Sequence, residues 1–178
     1  GSINLTKFVK EPFTDQAYFN WEDYKAVVNI FTRMLDNVVE INGLPLEKQR
    51  DEIARKRRHG MGYLGLGSSL AMMQMTYGDE KSLGFTEKVT KILAEEGWKT
   101  GIELAKEKGS APVMEESFEI TPEMLAKRPE MSKDGIKVGD KVKGKVLLAR
   151  YSKYMQQFPK SLQDEIASHG ARFTHHSS

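Results

Sequence analysis

Residues 55–75, RKRRHGMGYLGLGSSLAMMQM, contain the stretch that decides between two different folds. Gly60, Gly62 and Gly65 form a literal G-x-G-x-x-G. A dinucleotide-binding loop needs an apolar strand just before its first glycine and an acidic residue about 20 positions further on, at the end of a second strand. Here the charged segment EIARKRRH precedes the glycines, and the acidic residues downstream fall at a turn between helices. The sequence therefore favours a helix–loop–helix junction in which glycine allows positive φ and tight packing.

Apolar side chains on both sides of this stretch recur at steps of three and four, which predicts a mainly helical chain. Upstream, Asn20 is expected to cap a helix that ends at the NGLP of residues 42–45. The charged segment LEKQRDEIARKRRH predicts a second, mostly solvated helix. Downstream, Ser68 or Ser69 is expected to cap a third helix, and a fourth runs from about Lys81 to Lys108.

The composition changes over residues 109–144, where proline and glycine break the chain into short pieces. We predict a surface excursion there, with a helical turn that begins at Thr121 and has Pro122 at its first position. Two further helices are predicted after it, over 146–157 and 161–169.

Strand-like sequence is confined to the two ends, residues 1–9 and 171–178. Isolated end strands must pair with something, because a free strand edge exposes unpaired backbone groups. In a monomer they pair with each other, and in a larger protein they join its sheet. The fold class is therefore a mainly α segment with strand-like ends.

Composition excludes several classes of function. With 29% charged and 39% hydrophobic residues among 178, the chain is ordinary for a globular domain, and its net charge of +2 does not direct it as a whole toward nucleic acid. It has no cysteine, which excludes disulfides, thiolate metal sites and thiol chemistry carried by this chain alone. No apolar run approaches the roughly 20 residues of a membrane helix, and no signal peptide is visible, so we expect a cytoplasmic protein without a membrane partner.

The basic run Arg55–Arg58 offers an alternative function. Four consecutive cationic side chains can meet phosphates, so the run also fits a helical interaction or nucleic-acid-binding module. No aromatic residues interleave with the run, and acidic residues of the same helix lie at pairing distance. The pattern favours a salt-bridged helix end and makes nucleic acid the weaker hypothesis.

Metal and cofactor patterns are weak. His175 and His176 are adjacent, and neighbouring residues of a strand point to opposite faces, so they do not suit one metal ion. The methionine cluster Met72, Met73 and Met75 is typical of gap-filling core rather than of a cofactor site. We therefore predict no metal ligands in this chain.

Four blocks follow one another in a fixed order: GSINL at 1–5, RRHGMGYLGLGSSLAMM at 57–73 with YGDEKSLGFTEKV behind it, ELAKEKGSAPVM at 103–114, and HGARFTHHSS at 169–178. Together they resemble the catalytic (large) subunit of ribonucleotide reductase, over nearly the whole chain. The resemblance implies that residues 1–178 are a single internal segment of a ten-stranded α/β barrel. The glycine block Gly60–Gly67 would then pack a helix start against the barrel.

The resemblance also implies where the chemistry lies. This family converts ribonucleotides to deoxyribonucleotides for DNA synthesis by thiyl-radical chemistry. Its radical loop and one redox cysteine would lie upstream of Gly1, and its phosphate-binding turn would start just after Ser178. No catalytic residue therefore maps onto this chain, while Ser177 and Ser178 would lie nearest the substrate diphosphate.

The implied partners are flanking segments or chains that carry the cysteines and the phosphate-binding turn, the ribonucleotide substrate, and a thioredoxin-type reductant. The segment itself would bind no cofactor. The family uses either adenosylcobalamin or a metal-containing radical subunit, and the sequence leaves this open, as it does diphosphate against triphosphate substrate. Because the chain begins Gly1-Ser2 rather than with methionine, we expect a split chain, a processed piece or an excised domain that is inactive without its flanks.

Overall fold

The computed structural model of the chain describes residues 1–174. Over this range the α-helices are α1 (Trp21–Glu40), α2 (Glu47–Lys56), α3 (Leu66–Met72), α4 (Glu80–Lys108), α5 (Pro112–Glu115), α6 (Pro122–Lys127), α7 (Pro129–Lys133), α8 (Gly144–Tyr151) and α9 (Lys160–His169). The strands are β1 (Ser2–Asn4), β2 (Val9–Lys10), β3 (Tyr18–Phe19), β4 (Gly62–Leu64), β5 (Ser117–Glu119) and β6 (Lys141–Lys143). Two short 3-10 helices lie at Leu5–Phe8 and Met155–Gln157. The prediction of a mainly helical chain is confirmed.

Helix α1 begins where the sequence predicted. The side-chain oxygen of Asn20 accepts a hydrogen bond from the Asp23 N–H at 3.1 Å, and the Asn20 amide donates to the Asp23 carboxylate at 2.7 Å. This cap satisfies a backbone donor that has no partner inside the helix. The helix stops at Glu40, close to the predicted end, but the predicted left-handed cap is wrong, because neither Asn42 nor Gly43 has a positive φ. The helix therefore ends without a left-handed cap.

Strands occur along much of the described chain and not only at its ends, where they were predicted. β1 pairs in parallel with β4, and Ser2 lies opposite Gly62, 60 positions later. β2 pairs antiparallel with β3, and β5 pairs antiparallel with β6. Each of these strands has three residues or fewer. Such strands are too short for an apolar alternation to reveal them in sequence.

The C-terminal end corrects the predicted fold class. Residues 171–174 form no strand, and β1 pairs with β4 rather than with them. The Ala111 N–H donates to the Ala171 carbonyl, and the Arg172 N–H donates to the Gly101 carbonyl, both at 2.9 Å. This end therefore forms backbone hydrogen bonds with helix and loop segments rather than with a strand. Residues 175–178, the rest of the predicted strand, lie outside the described residues.

The described chain divides into two compact units. Unit 1 comprises Gly1–Val38 and His59–Thr100, and unit 2 comprises Val39–Arg58 and Gly101–Thr174. Tyr24 belongs to the hydrophobic core of unit 1 and is fully buried. Its ring centroid lies 5.3 Å from that of Phe8 and 5.5 Å from that of Phe19, and its hydroxyl donates to the Val89 carbonyl at 3.3 Å.

The three clustered methionines, Met72, Met73 and Met75, pack against this core of unit 1. Met61, which precedes β4, is itself fully buried. The interpretation of the cluster as ordinary core packing is confirmed.

Unit 2 has its own buried cluster around Ile120, Met131 and Tyr151. The Tyr151 hydroxyl donates to Asp134 at 2.7 Å. Burial, together with this hydrogen bond, raises the pKa of Tyr151 to about 12. The phenol therefore stays protonated over the physiological range and keeps its donor role.

Along residues 1–174, no helix combines the length and the apolar character that a membrane crossing requires.

Candidate functional site

The carboxyl ends of the two parallel strands lie side by side, at Asn4 and Leu64. Ligands of parallel α/β sheets bind beyond this edge, which makes it the candidate site. The Asn4 side-chain oxygen accepts hydrogen bonds from the Thr6 N–H at 3.2 Å and from the Thr6 hydroxyl at 2.8 Å. We call Asn4, Thr6, Gly65 and Ser69 the β-edge cluster.

Gly65 joins β4 to α3 and has a left-handed φ of 78°. A Cβ built there would lie 2.8 Å from the Asn4 side-chain oxygen and 3.1 Å from the Thr6 methyl carbon. The Ser69 hydroxyl donates to the Gly65 carbonyl at 2.8 Å. Positive φ and close packing, predicted for the glycine stretch, are confirmed at this residue.

The predicted helix–loop–helix junction is wrong in two details. Strand β4 lies between α2 and α3, because residues 62–64 find hydrogen-bonding partners in the distant β1. Gly65, rather than Ser68 or Ser69, occupies the position that precedes α3. The glycine stretch is therefore a helix–strand–helix connection.

The β-edge cluster holds neighbouring segments in place and carries no group suited to proton transfer at neutral pH. Its amide and hydroxyl groups are engaged with one another or with the backbone. Helix α3 has only seven residues, too few to treat its start as an anion site. The chain contains no cysteine, so thiol chemistry at this edge would require another segment.

The first member of the basic run, Arg55, makes a bidentate ion pair within unit 2. Its Nε and Nη2 atoms each lie 2.6 Å from a carboxylate oxygen of Glu116. Paired N–H···O bonds of this kind combine charge with fixed geometry. The hydrogen bonds raise the pKa of Arg55 and lower that of Glu116. The Arg55 guanidinium therefore pairs with the residue that follows α5 and is not available to an external phosphate.

The next two cations also meet carboxylates. Lys56 pairs with Glu52 of the same helix, and Arg57 lies 2.8 Å from Glu40 with its side chain 7% exposed. Arg172 pairs with the same Glu40 at 3.2 Å. The predicted salt-bridged helix end is confirmed, and the nucleic-acid alternative is not supported. Glu52 is one of the acidic residues of the same helix that the sequence predicted as partners, whereas Glu40 and Glu116 were missed, because helical spacing identifies only partners on the same helix.

Glu115, beside Glu116, joins α5 to one lysine of β6 and one lysine of α8. Lys145 and Lys143 donate to its carboxylate at 2.8 Å and 2.9 Å. These hydrogen bonds lower the pKa of Glu115 to about 2. The contacts stabilise the folded state above the ordinary carboxyl pKa, and their contribution falls as the pH drops toward 2.

An apolar cavity of about 240 Å³ lies in unit 2. Its walls are Val113, Met114, Phe118, Met124, Gly144, Leu147, Leu148 and Thr174. Charged side chains are absent from this lining, so the cavity does not suit a nucleotide phosphate, which needs cationic or N–H donors.

The site residues suggested by resemblance, Ser177 and Ser178, lie outside the described residues, as do His175 and His176. The described chain ends at Thr174, whose hydroxyl donates to the Lys56 carbonyl at 2.7 Å. Phe173 is fully buried beside it. Up to Thr174, no three His, Asp or Glu side chains are grouped so that they could hold a metal ion.

Comparison with known proteins identifies the relatives of this chain. It is 30% identical over 112 residues to the vitamin B12-dependent ribonucleoside-diphosphate reductase of Thermoplasma acidophilum, which covers 63% of this chain and 14% of that protein. It is 31% identical over 114 residues to the ribonucleoside-diphosphate reductase large subunit of African swine fever virus, covering 62% and 14%. It is 33% identical over 108 residues to the ribonucleoside-diphosphate reductase subunit alpha of Helicobacter pylori, covering 61% and 12%.

The aligned region is thus only 12–14% of the length of these relatives. The sequence model of the family described as ribonucleotide reductase, barrel domain, matches residues 1–178, the whole chain. The chain therefore belongs to the ribonucleotide reductase barrel-domain family.

Proposed function

We propose that this chain is part of a ribonucleotide reductase and that the complete enzyme converts ribonucleotides to deoxyribonucleotides for DNA synthesis by thiyl-radical chemistry. The observation that carries this proposal is the family match over residues 1–178. The parallel pair β1–β4 supports it, because parallel neighbours joined through a helix are the repeating unit of α/β barrels.

The role of the chain in that enzyme is structural support for a site completed by other segments. Residues 1–178 form one segment of the catalytic barrel, with residues 109–144 as a surface excursion. Two parallel strands of three residues each are far smaller than the sheets that are stable alone, so β1 and β4 need further strands beside them. Flanking segments supply those strands and the reactive cysteines.

The complete enzyme acts in the cytoplasm, takes electrons from a thioredoxin-type reductant, and generates its radical with adenosylcobalamin or a metal-containing subunit. Residues 1–174 offer no grouping of metal ligands. We propose that the radical generator belongs to another part of the assembly.

Deleting residues 1–178 from the full-length reading frame that carries them is expected to abolish deoxynucleotide formation, because the barrel loses wall strands beside its active site. Supplying the segment as a separate chain is expected to restore part of the activity. The measurement is conversion of radiolabelled ribonucleotide, with each part alone as the control. Full activity in the deleted protein would contradict the proposal.

We also propose that Ser177 and Ser178 contact the substrate phosphates. Replacing both with alanine in the complete enzyme is expected to raise the substrate KM at least about 10-fold with little change in kcat, because a hydrogen bond to a charged group is worth about 1.5–3 kcal/mol. Ser132→Ala, at an exposed position of α7, is the control and should leave KM unchanged. An unchanged KM in the double variant would reject this role.

A further inference from the structure

Helix α1 carries a second apolar face that faces solvent. Val27, Ile30, Met34 and Val38, which we call the α1 stripe, follow one another at steps of three and four and so share one side of the helix. Their exposed fractions are 37%, 70%, 46% and 50%. A contiguous row of large apolar side chains with these exposed fractions is unusual on the surface of a complete folded protein.

The stripe is not the face that folds unit 1. That task falls to Tyr24, Val28 and Thr32, which recur at steps of four and are buried. Two hydrogen bonds fix this face and its flank to α4: the Tyr24 hydroxyl donates to the Val89 carbonyl, and the Thr100 hydroxyl donates to the Asn29 side-chain oxygen at 2.7 Å. The α1 stripe is therefore additional apolar surface, beyond what unit 1 needs.

An α-helix with one apolar face is a surface helix, whereas a helix with apolar residues on two faces is covered on both. Polar residues remain on the rest of α1, including Glu22 and Lys25, which pair at 3.0 Å. This arrangement of apolar and polar residues around α1 fits a helix that packs on a sheet with one face. The α1 stripe would then pack against a neighbouring helix.

We propose that the α1 stripe is the docking surface for an amphipathic helix from a flanking segment of the same reductase large subunit. This inference rests on the proposed function. Most of such a subunit lies outside these residues, since the aligned region spans 12–14% of its relatives. Helix α1 lies in the connection between the parallel strands β1 and β4. Helices in such connections lie side by side around the sheet. The helix of the next strand–helix repeat of the barrel therefore meets the flank of α1.

A second copy of this chain is a poorer fit. Four partly exposed side chains present a few hundred Å² of apolar surface, whereas stable complexes bury roughly 800 Å² per partner. One neighbouring helix with apolar residues at steps of three and four matches the length and width of the stripe.

The complete enzyme provides the test, with Ile30→Cys and the control Glu22→Cys in separate proteins. Glu22 lies on the same helix with its side chain 83% exposed. The measurement is the rate of maleimide labelling at each position, read from the corresponding peptide by mass spectrometry. We expect labelling at position 30 to be at least about 10-fold slower than at position 22, because a buried thiol reacts only during local opening.

Equal rates at the two positions in an enzyme that reduces ribonucleotides would overturn the inference and leave the proposed function intact. Protection at position 30 that disappears when the enzyme dissociates into single chains would assign the stripe to a second copy, which also overturns it. Absence of reductase activity in the enzyme without either substitution would instead reject the proposed function. If Ile30→Cys itself prevents folding, Met34→Cys repeats the measurement on the same stripe.

Discussion

Replacing Tyr24 with alanine is expected to lower the free energy of unfolding by about 3–5 kcal/mol, the usual cost of removing a buried aromatic ring. The ring is fully buried and makes edge-on contacts with the rings of Phe8 and Phe19. The neighbouring rings cannot readily move into the cavity left by the tyrosine ring, because Phe19 also contacts Phe85, with centroids 5.1 Å apart. The loss would weaken the packing of α1 against Phe8, Phe19 and α4.

Tyr24→Phe is the matched control, because it keeps the ring and removes only the hydroxyl that donates to Val89. Its expected cost is about 1 kcal/mol, the net value of one hydrogen bond. Burial also raises the pKa of the Tyr24 phenol above its usual value, so the donor is retained at alkaline pH. Urea unfolding followed by the fluorescence of Trp21 and Trp98 measures both variants. Equal losses would show that ring packing is not what Tyr24 contributes.

The long helices could be predicted because their signals are local. Asn20 caps α1, and the apolar spacing placed a helix from about Lys81 to Lys108 where α4 spans Glu80–Lys108. The turn at Thr121 was equally visible, since its hydroxyl accepts from the Met124 N–H at 3.2 Å and Pro122 follows. Each of these features depends on residues within four positions of one another.

Features that depend on distant residues could not be predicted. The predicted helix over 146–157 instead ends at Tyr151. Ser152 has an extended backbone, with φ −91° and ψ 122°, and only a 3-10 turn follows. Strand β4 exists because β1 lies beside it. Among the basic residues, Arg57 adopts a left-handed φ of 47° and is buried against Glu40, and nothing in the sequence of a charged helix distinguishes it from its neighbours.

The glycine stretch gives the second large effect. Gly65→Ala is expected to destabilise the protein by about 2–5 kcal/mol, because a side chain costs roughly 1–2 kcal/mol at left-handed φ and overpacking adds about 1–3 kcal/mol. The overpacking arises because the new Cβ would lie 2.8 Å from the Asn4 side-chain oxygen, whose hydrogen bonds to Thr6 hold the end of β1. Relief of this contact would displace the carboxyl ends of both parallel strands.

Gly67→Ala, two residues away, is the matched control and is expected to have the opposite sign. A Cβ there meets nothing within 4 Å, and the residue lies inside α3. Alanine is favoured over glycine in a helix by about 0.5–1 kcal/mol, so this variant should gain stability. Urea denaturation of both variants decides between two roles for the stretch. In a phosphate-cradling loop, substitution of either glycine would weaken ligand binding and change the stability little. In a strand–helix connection that depends on close contact with Asn4, only Gly65→Ala lowers the stability.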